Sequence, residues 1–519
     1  CTRIGQRKWS SPGMVILITI RRQTMVSVNT NIAALGAQNN LKMNNFGYEK
    51  AMQRLSSGKR INGAADDAAG LSVASSMTAQ VKGLKMASKN ASDGISLVNT
   101  IEGALNEATD ILQRMRELAV QSISDTNNGS DRTYIQDEIN QLNNELNRIS
   151  STTQYNGMNV LDGTFTDQTM QIGNLANQTL KFGVASIDTT TLGAYERDSV
   201  VEMTAATDSA AVAIAGLKDL YSADADYVLA GSFGTKTAFV DAGASARDVA
   251  AAFNLIKSET NISATATTRA TLAFAATGSA SFTLQGKSST ASTVTATVDV
   301  LTDQTALRDA INAVSGATGI TATLSSDKST VNMVNSEGYN IVVGDFTGVN
   351  GTMNDLDKDG AANGGTITLT SGGNDSGAVS GAIKLTGDKP YTVTPSDTGN
   401  HFSGASAALT SSLVTLGDIS LKTVLNATNA VAVIDMSLAM VAASRSKMGA
   451  IQNRLTSTVE NLSSVITKTQ ASLSQIQDAN FAGETTELSK SQILTQAAQA
   501  MLAQANQANQ SVLRLLQAA

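Results

Sequence analysis

Between residues 71 and 121, apolar side chains recur at alternating steps of four and three: Met77, Val81 and Leu84, then Ala91, Ile95 and Val98. After a one-residue slip the series resumes with Ile101, Leu105, Ala108, Leu112, Met115 and Ala119. A stripe this narrow is the seam of a long helix lying against other helices, not the wide apolar face of a globular core helix. No proline interrupts it, and at 1.5 Å per residue the run is about 75 Å long. A second unbroken seam runs through Ile434, Leu438, Val441, Arg445, Met448, Gln452, Leu455, Val459, Leu462, Ile466, Thr469, Leu473 and Ile476. Its few polar members, Arg445, Gln452 and Thr469, are of the kind that fix register at some cost in stability. Pairing of these two seams is the expected arrangement, with two unrelated helices of separate domains as the alternative. Pairing makes the middle of the chain an insertion.

The stretch from Val26 to Leu41 carries no charge, and Val28, Ile32 and Leu35 fit one helical face. Leu41, Tyr48, Met52 and Leu55 continue it after a phase shift, up to a stop at Ser56-Ser57-Gly58. Asp66 and Asp67 stand where acids favour the start of the long helix. A shorter helix is predicted over 131–149, followed by turn chemistry at Asn156-Gly157 and strand-like alternation between Gln171 and Phe182. From about 184 to 420 the texture changes to Ala, Thr, Ser and Gly with alternating Val, Ile and Leu. Within it, the segment from Ser245 to Thr265 parallels that from Thr305 to Thr323, which predicts two small α+β units with antiparallel strands. At the far end Leu494, Ala498, Met501, Ala505, Ala508, Val512 and Leu515 form another four-three series, and Arg514 is the only charge after Ser491. So weak a seam does not hold a lone helix in water, so both chain ends are expected to order only as subunits pack together.

Composition narrows the chemistry. The 519 residues carry a net charge of −7, and no basic patch suits a nucleic acid. One cysteine (Cys1) and one histidine (His401) exclude internal disulfides, Cys/His zinc sites and the H-E-x-x-H motif. A Ser-His-Asp triad would need His401, which has no nucleophile elbow near it. Asp355-Leu356-Asp357-Lys358-Asp359-Gly360 has the alternating acids of a calcium loop, but Thr366 occupies the twelfth position where an EF-hand places Glu. A solvated loop is the expected reading, and no catalytic, cofactor or metal residue is assigned. Residues 1–24 open with Cys and carry Arg21-Arg22 directly after a short apolar run, too short to span a bilayer. This segment is read as upstream sequence with the true start at Met25; a genuine leader is the alternative.

Several separate blocks resemble the N-terminal signature of bacterial flagellins. They are Asn29-Thr30-Asn31, Arg54 to Asn62, Asp66 to Gly70, Asn90 to Ser96, Glu102 to Glu107 and Leu112 to Gln121. The likeness covers about 25–183 and 425–519. It implies a mainly α fold: a rod of long antiparallel coiled-coil-like helices from both chain ends with a β-hairpin, carrying an inserted α+β/β outer region. The implied divisions are 25–60 and 481–519 for an inner tube, 61–183 and 421–480 for the trunk, and 184–420 for a variable surface insertion. Function follows as a structural subunit that polymerises into the flagellar filament for swimming, exported unfolded by the flagellar type III system. Implied partners are further copies of itself, an export chaperone on the C-terminal helix, and the filament cap and hook–filament junction proteins. Serine and threonine glycosylation of the insertion is also a family property. An innate immune receptor site, for Toll-like receptor 5, maps onto Gln113, Arg114, Leu118, Gln121 and Glu138. No nucleic acid and no membrane insertion are expected. The rival readings are a hook–filament junction protein, a coiled-coil adhesin, and an enzyme embedded in the insertion.

Overall fold

The computed structural model describes residues 30–206, 226–288, 290–357, 360–371, 375–396, 402 and 407–517. His401 and residues 1–24 lie outside them. In chain order the helices are α1 (Ile32–Ser57), α2 (Ala68–Ile123), α3 (Gly129–Thr152), α4 (Ala246–Leu255), α5 (Lys257–Thr260), α6 (Thr305–Ala313), α7 (Ser315–Thr318), α8 (Val424–Gln477) and α9 (Phe481–Gln517). The chain forms two compact units, one from its two ends (up to Ser88 and from Glu460) and one from Lys89 to Val459.

The larger unit is built on the antiparallel pairing of α2 and α8. Val98, Ile101, Leu105, Ala108, Leu112, Met115 and Ala119 of α2 pack into one core with Ala427, Ala430, Ile434, Val441, Met448 and Leu455 of α8. Ile95 and Val459 are half-buried against it. Two of the three polar members of the α8 seam, Arg445 and Gln452, find partners across it. Arg445 Nε donates to Glu102 at 3.0 Å, and the Gln452 amide donates to Asn99 at 2.9 Å. In the smaller unit Leu84, Ala87 and Leu462 form the continuing contact, flanked by half-buried Ile466. The slip in the α2 series falls earlier than the apolar residues suggest. Buried positions run without interruption through Ala87, Ala91, Gly94 and Val98, so Gly94, not Ile95, holds the seam position. A Cβ on Gly94 would lie 2.6 Å from the Met170 sulphur and 3.3 Å from a Leu455 methyl. Glycine carries no hydrophobic signal, and its value here is the space it leaves.

Helix α3 starts two residues before its expected position because Asn128 and Asp131 form a capping box. It buries Ile135, Ile139, Leu146 and Ile149 in the α2–α8 core. It also buries amides. Gln136 Oε1 accepts from the Leu421 N–H at 2.6 Å, and the Asn143 amide donates to the Leu416 carbonyl at 3.4 Å. These bonds tie down the segment by which the chain re-enters α8. The hairpin of Gln168–Gln171 and Thr179–Phe182 docks through Asn90, whose amide donates to the Gln171 carbonyl at 3.0 Å.

The insertion is antiparallel β-sheet throughout its assigned pairings. An eight-stranded sheet contains the 13-residue strand Ile262–Phe274, and five- and four-stranded sheets accompany it. The two repeated segments share a hydrogen-bond device. Asn254 donates to the Ala264 carbonyl and accepts from its N–H, at 2.8 and 3.0 Å. Asn312 does the same to Ala322, at 2.9 and 2.8 Å. Each short helix pair ends in a left-handed residue, Asn261 or Gly319. The repeat helices pack in separate cores, Val249 and Phe253 in one and Leu307 and Ile311 in the other, yet one strand runs past both. Strand Ile262–Phe274 pairs through its first half with Ala382–Gly387 and through its second with Val331–Asn335, and so joins them.

Two glycines of α2 separate packing from propensity. Gly94→Val overfills the seam and is expected to destabilise the trunk by about 1–3 kcal/mol. Gly103→Ala meets nothing within 4 Å and is expected to stabilise it by up to about 1 kcal/mol. Thermal unfolding followed by circular dichroism reads both signs.

Candidate assembly surfaces

Within the smaller unit α1 and α9 form an antiparallel pair. The Asn31 amide donates to the Ala505 carbonyl at 3.0 Å, and Arg54 pairs with Glu484 at 3.1 Å. The inward positions of α1 are small, Ala34, Ala37 and Ala51, with Leu41 among them; those of α9 are Leu488, Ser491, Thr495, Ala498, Leu502 and Ala505. Alanine and serine let the backbones approach, so the phase of this pair is set by residues with little hydrophobic signal.

That phase divides the expected polymerisation seam between the α1–α9 contact and the open surface. Ile32 and Leu35 are 72% and 55% exposed, and they continue through Met43 (67%) and Phe46 (68%) as an apolar stripe turned away from α9. They line an open groove of about 1300 Å³ along α1. Ala498 and Ala505 belong to the α1–α9 contact, whereas Leu494, Met501 and Ala508 are exposed with Ile493. Val28 lies outside the described residues, and Val512 and Leu515 are described only as backbone of α9.

The connectors between helices in this unit are clasped. The backbones of Lys59 and Asp478 form an isolated antiparallel β-bridge; the Arg60 N–H donates to the Gln477 carbonyl, and its guanidinium to the Ile476 carbonyl, both at 2.7 Å. Two orphan carbonyls at the C-terminus of α8 are thereby satisfied. Asp66 takes Lys50 at 3.0 Å and the Asn62 N–H at 3.1 Å. The contact with Lys50 holds the Asp66 carboxyl below the usual carboxylate range, with the Asn62 N–H adding to it.

In the larger unit Gln113, Arg114, Gln121 and Glu138 are exposed. Arg114 bonds Glu138 at 2.8 and 3.0 Å and Glu117 at 3.1 Å. Leu118 departs from the expectation. It is 2% exposed and belongs to the same core as Ile135 and Ile139 of α3, so the packing of α3 removes it from any receptor-facing surface. Of the calcium-like run, Lys358 and Asp359 lie outside the described residues; Asp355 is buried in strand Gly351–Leu356, accepting from the Gly365 N–H at 2.8 Å and the Asn363 amide at 3.1 Å. Among the described residues no group of His, Cys, Asp and Glu is placed to hold a metal ion. α8 is long and apolar enough to cross a membrane, with mean hydropathy 1.5 over its richest window, but in this fold its seam faces α2.

These features meet in the comparisons with known proteins. The bacterial flagellin N-terminal helical region matches residues 28–166, and the bacterial flagellin C-terminal helical region matches 431–516. The B-type flagellin of Pseudomonas aeruginosa is 35% identical over 510 residues, which cover 95% of this chain and 99% of the relative. The chain belongs to the bacterial flagellin family. The flagellin of Salmonella typhimurium is 34% identical over 518 residues, covering 94% of this chain and 99% of the relative. The solved structure of FliC from Burkholderia pseudomallei aligns with a TM-score of 0.28 at 17% identity, over 70% of this chain and 99% of that one. This flagellin is a structural subunit of the bacterial flagellar filament.

The Asp66 contacts carry a pH signature. Because the folded carboxyl titrates below its unfolded value, its contribution is complete above roughly pH 4 and is lost as the pH falls through the folded pKa. The Asn62 amide resonance, followed from pH 6 to 2, is expected to titrate below the ordinary aspartate midpoint and to lose that transition in Asp66→Asn.

Proposed function

We propose that this flagellin polymerises through the α1–α9 pair, and that the outward stripe of Ile32, Leu35, Met43 and Phe46 is the surface a neighbouring copy covers. One observation carries this: four large apolar side chains share a face of α1 that the described residues leave open. Fully burying such a side chain is worth about 1.5–3 kcal/mol, so covering the stripe supplies a strong drive to assemble. Leu494 and Met501 on α9 are exposed as well. The contacts are heterologous and do not close, so they propagate as a helix.

The small-residue seam of α1 and α9 also fits an end region that orders as subunits join, and a chain that travels unfolded through the flagellar type III channel. An export chaperone on α9, the filament cap and the hook–filament junction proteins are the partners that follow, with the assembled subunit outside the cell. Arg114, Glu138, Gln113 and Gln121 offer an exposed face for an innate immune receptor such as Toll-like receptor 5, without Leu118.

Seeded elongation of residues 25–519, imaged by negative-stain electron microscopy, tests assembly. Deleting 491–519 is expected to abolish long filaments, and Phe46→Asp to slow elongation at least ~10-fold, about 1.4 kcal/mol. Short rings from the parent chain would favour a junction protein. Arg114→Ala protein that stimulates receptor-bearing cells as well as the parent would remove the receptor reading.

A further inference from the structure

Helix α2 is electrostatically divided. From Ala68 to Ser92 its only charged residues are Lys82, Lys85 and Lys89; from Asp93 to Gln113 its only charged residues are Asp93, Glu102, Glu107 and Asp110. Lys82, Lys85, Lys89, Glu107 and Asp110 are all exposed. They also fall on one side of the helix: Lys82, Lys89 and Asp110 are separated by multiples of seven residues, and Lys85 and Glu107 lie three residues from Lys82 and Asp110. Among the described residues, the ion pairs of α2 run through Glu102, Arg114, Glu117 and Arg116 and use none of these five. Scattered exposed lysines serve solubility. Segregation of sign along one helix face does more, because it discriminates between ways of placing two copies side by side. Copies in register set lysine against lysine and acid against acid. Copies offset along the helix set the lysine stripe of one against the acids of the next.

We infer that Lys82, Lys85 and Lys89 of one subunit dock against Glu107 and Asp110 of a second copy, and that this pairing selects the axial offset between neighbours in the filament. The inference rests on the polymerisation reading and adds to it: the apolar stripe of α1 drives association, and the divided charge of α2 chooses its register. Complementary charge acts mainly on association rate and on rejection of wrong arrangements, and it is screened by salt over about 10 Å at 0.1 M.

Two charge-reversed proteins test it. One carries Lys82→Glu, Lys85→Glu and Lys89→Glu, and the other Glu107→Lys and Asp110→Lys. All substitutions are at exposed positions, and parental far-UV circular dichroism checks the fold. Elongation from parental seeds at about 50 mM salt, where screening is weak, is expected to fall at least ~10-fold for each protein alone. A chain carrying all five reversals, elongated from seeds of that same chain, or a one-to-one mixture of the two proteins on parental seeds, is expected to elongate within about threefold of the parent. Rescue of that kind cannot come from repair of a misfolded monomer. Single reversals that elongate like the parent overturn the inference, as does a five-fold reversal and mixture that stay as slow as either protein alone. If a reversal lowers helicity, the neutral set Lys82→Gln, Lys85→Gln and Lys89→Gln replaces it, and elongation of this set at the parental rate and parental salt dependence overturns the inference equally. A parent that does not elongate at all overturns the polymerisation reading with it.

Discussion

The antiparallel contact of α2 with α8 is the constraint on which the larger unit depends. Its middle is apolar and fully buried, from Val98 to Ala119 on one side and Ala427 to Leu455 on the other. Apolar matching alone tolerates sliding, since a four-three seam looks similar to itself one heptad along. Glu102–Arg445 and Asn99–Gln452 remove that freedom, because a slide of seven residues separates both pairs. Gly94 adds a steric mark, admitting the Met170 sulphur and the Leu455 methyl at one place only. Register therefore comes from a few polar and small residues, and burial supplies the stability.

The smaller unit balances these terms differently. The α1–α9 contact is made of alanine, serine and threonine with few leucines, so it gains little per residue, while larger apolar side chains face outward. A globular domain would turn them inward. Leaving them exposed makes the pair weak on its own and strong against a neighbour, which suits a polymer subunit. The Lys59, Arg60 and Asp66 bonds tie the connectors meanwhile. The blocks Arg54 to Asn62 and Asp66 to Gly70 therefore act locally, capping α8 and joining the two passes of the chain.

The insertion follows its own rules. Asn254 and Asn312 each bind both polar groups of one backbone unit, fixing a short helix to the strand after it. Strand Ile262–Phe274 runs through one sheet that borders both repeats, while each repeat helix packs in its own core. The cores of the insertion contain most of the buried aromatic side chains, including Tyr227, Phe253, Phe282 and Phe346, which lets this region fold around contacts separate from the helical seams.

Periodicity and end signals were sufficient for the long helices, their antiparallel pairing, the β-hairpin and the repeats, because each is written in local spacing that any neighbour must respect. The Asn128–Asp131 capping box and the Gly58 stop are local in the same sense. What the spacing left open is which side of an apolar stripe a neighbour covers. Leu118 lies under α3, and Ile32 and Leu35 face outward while alanines make the α1–α9 contact. Gly94, Gln136 and Asn143 carried no hydrophobic signal at all. Their roles arise from space and from hydrogen bonds to residues far off in the chain. Sequence determined the elements and their partners; tertiary packing decided the faces, because burial belongs to a pair of surfaces and not to one stretch of chain.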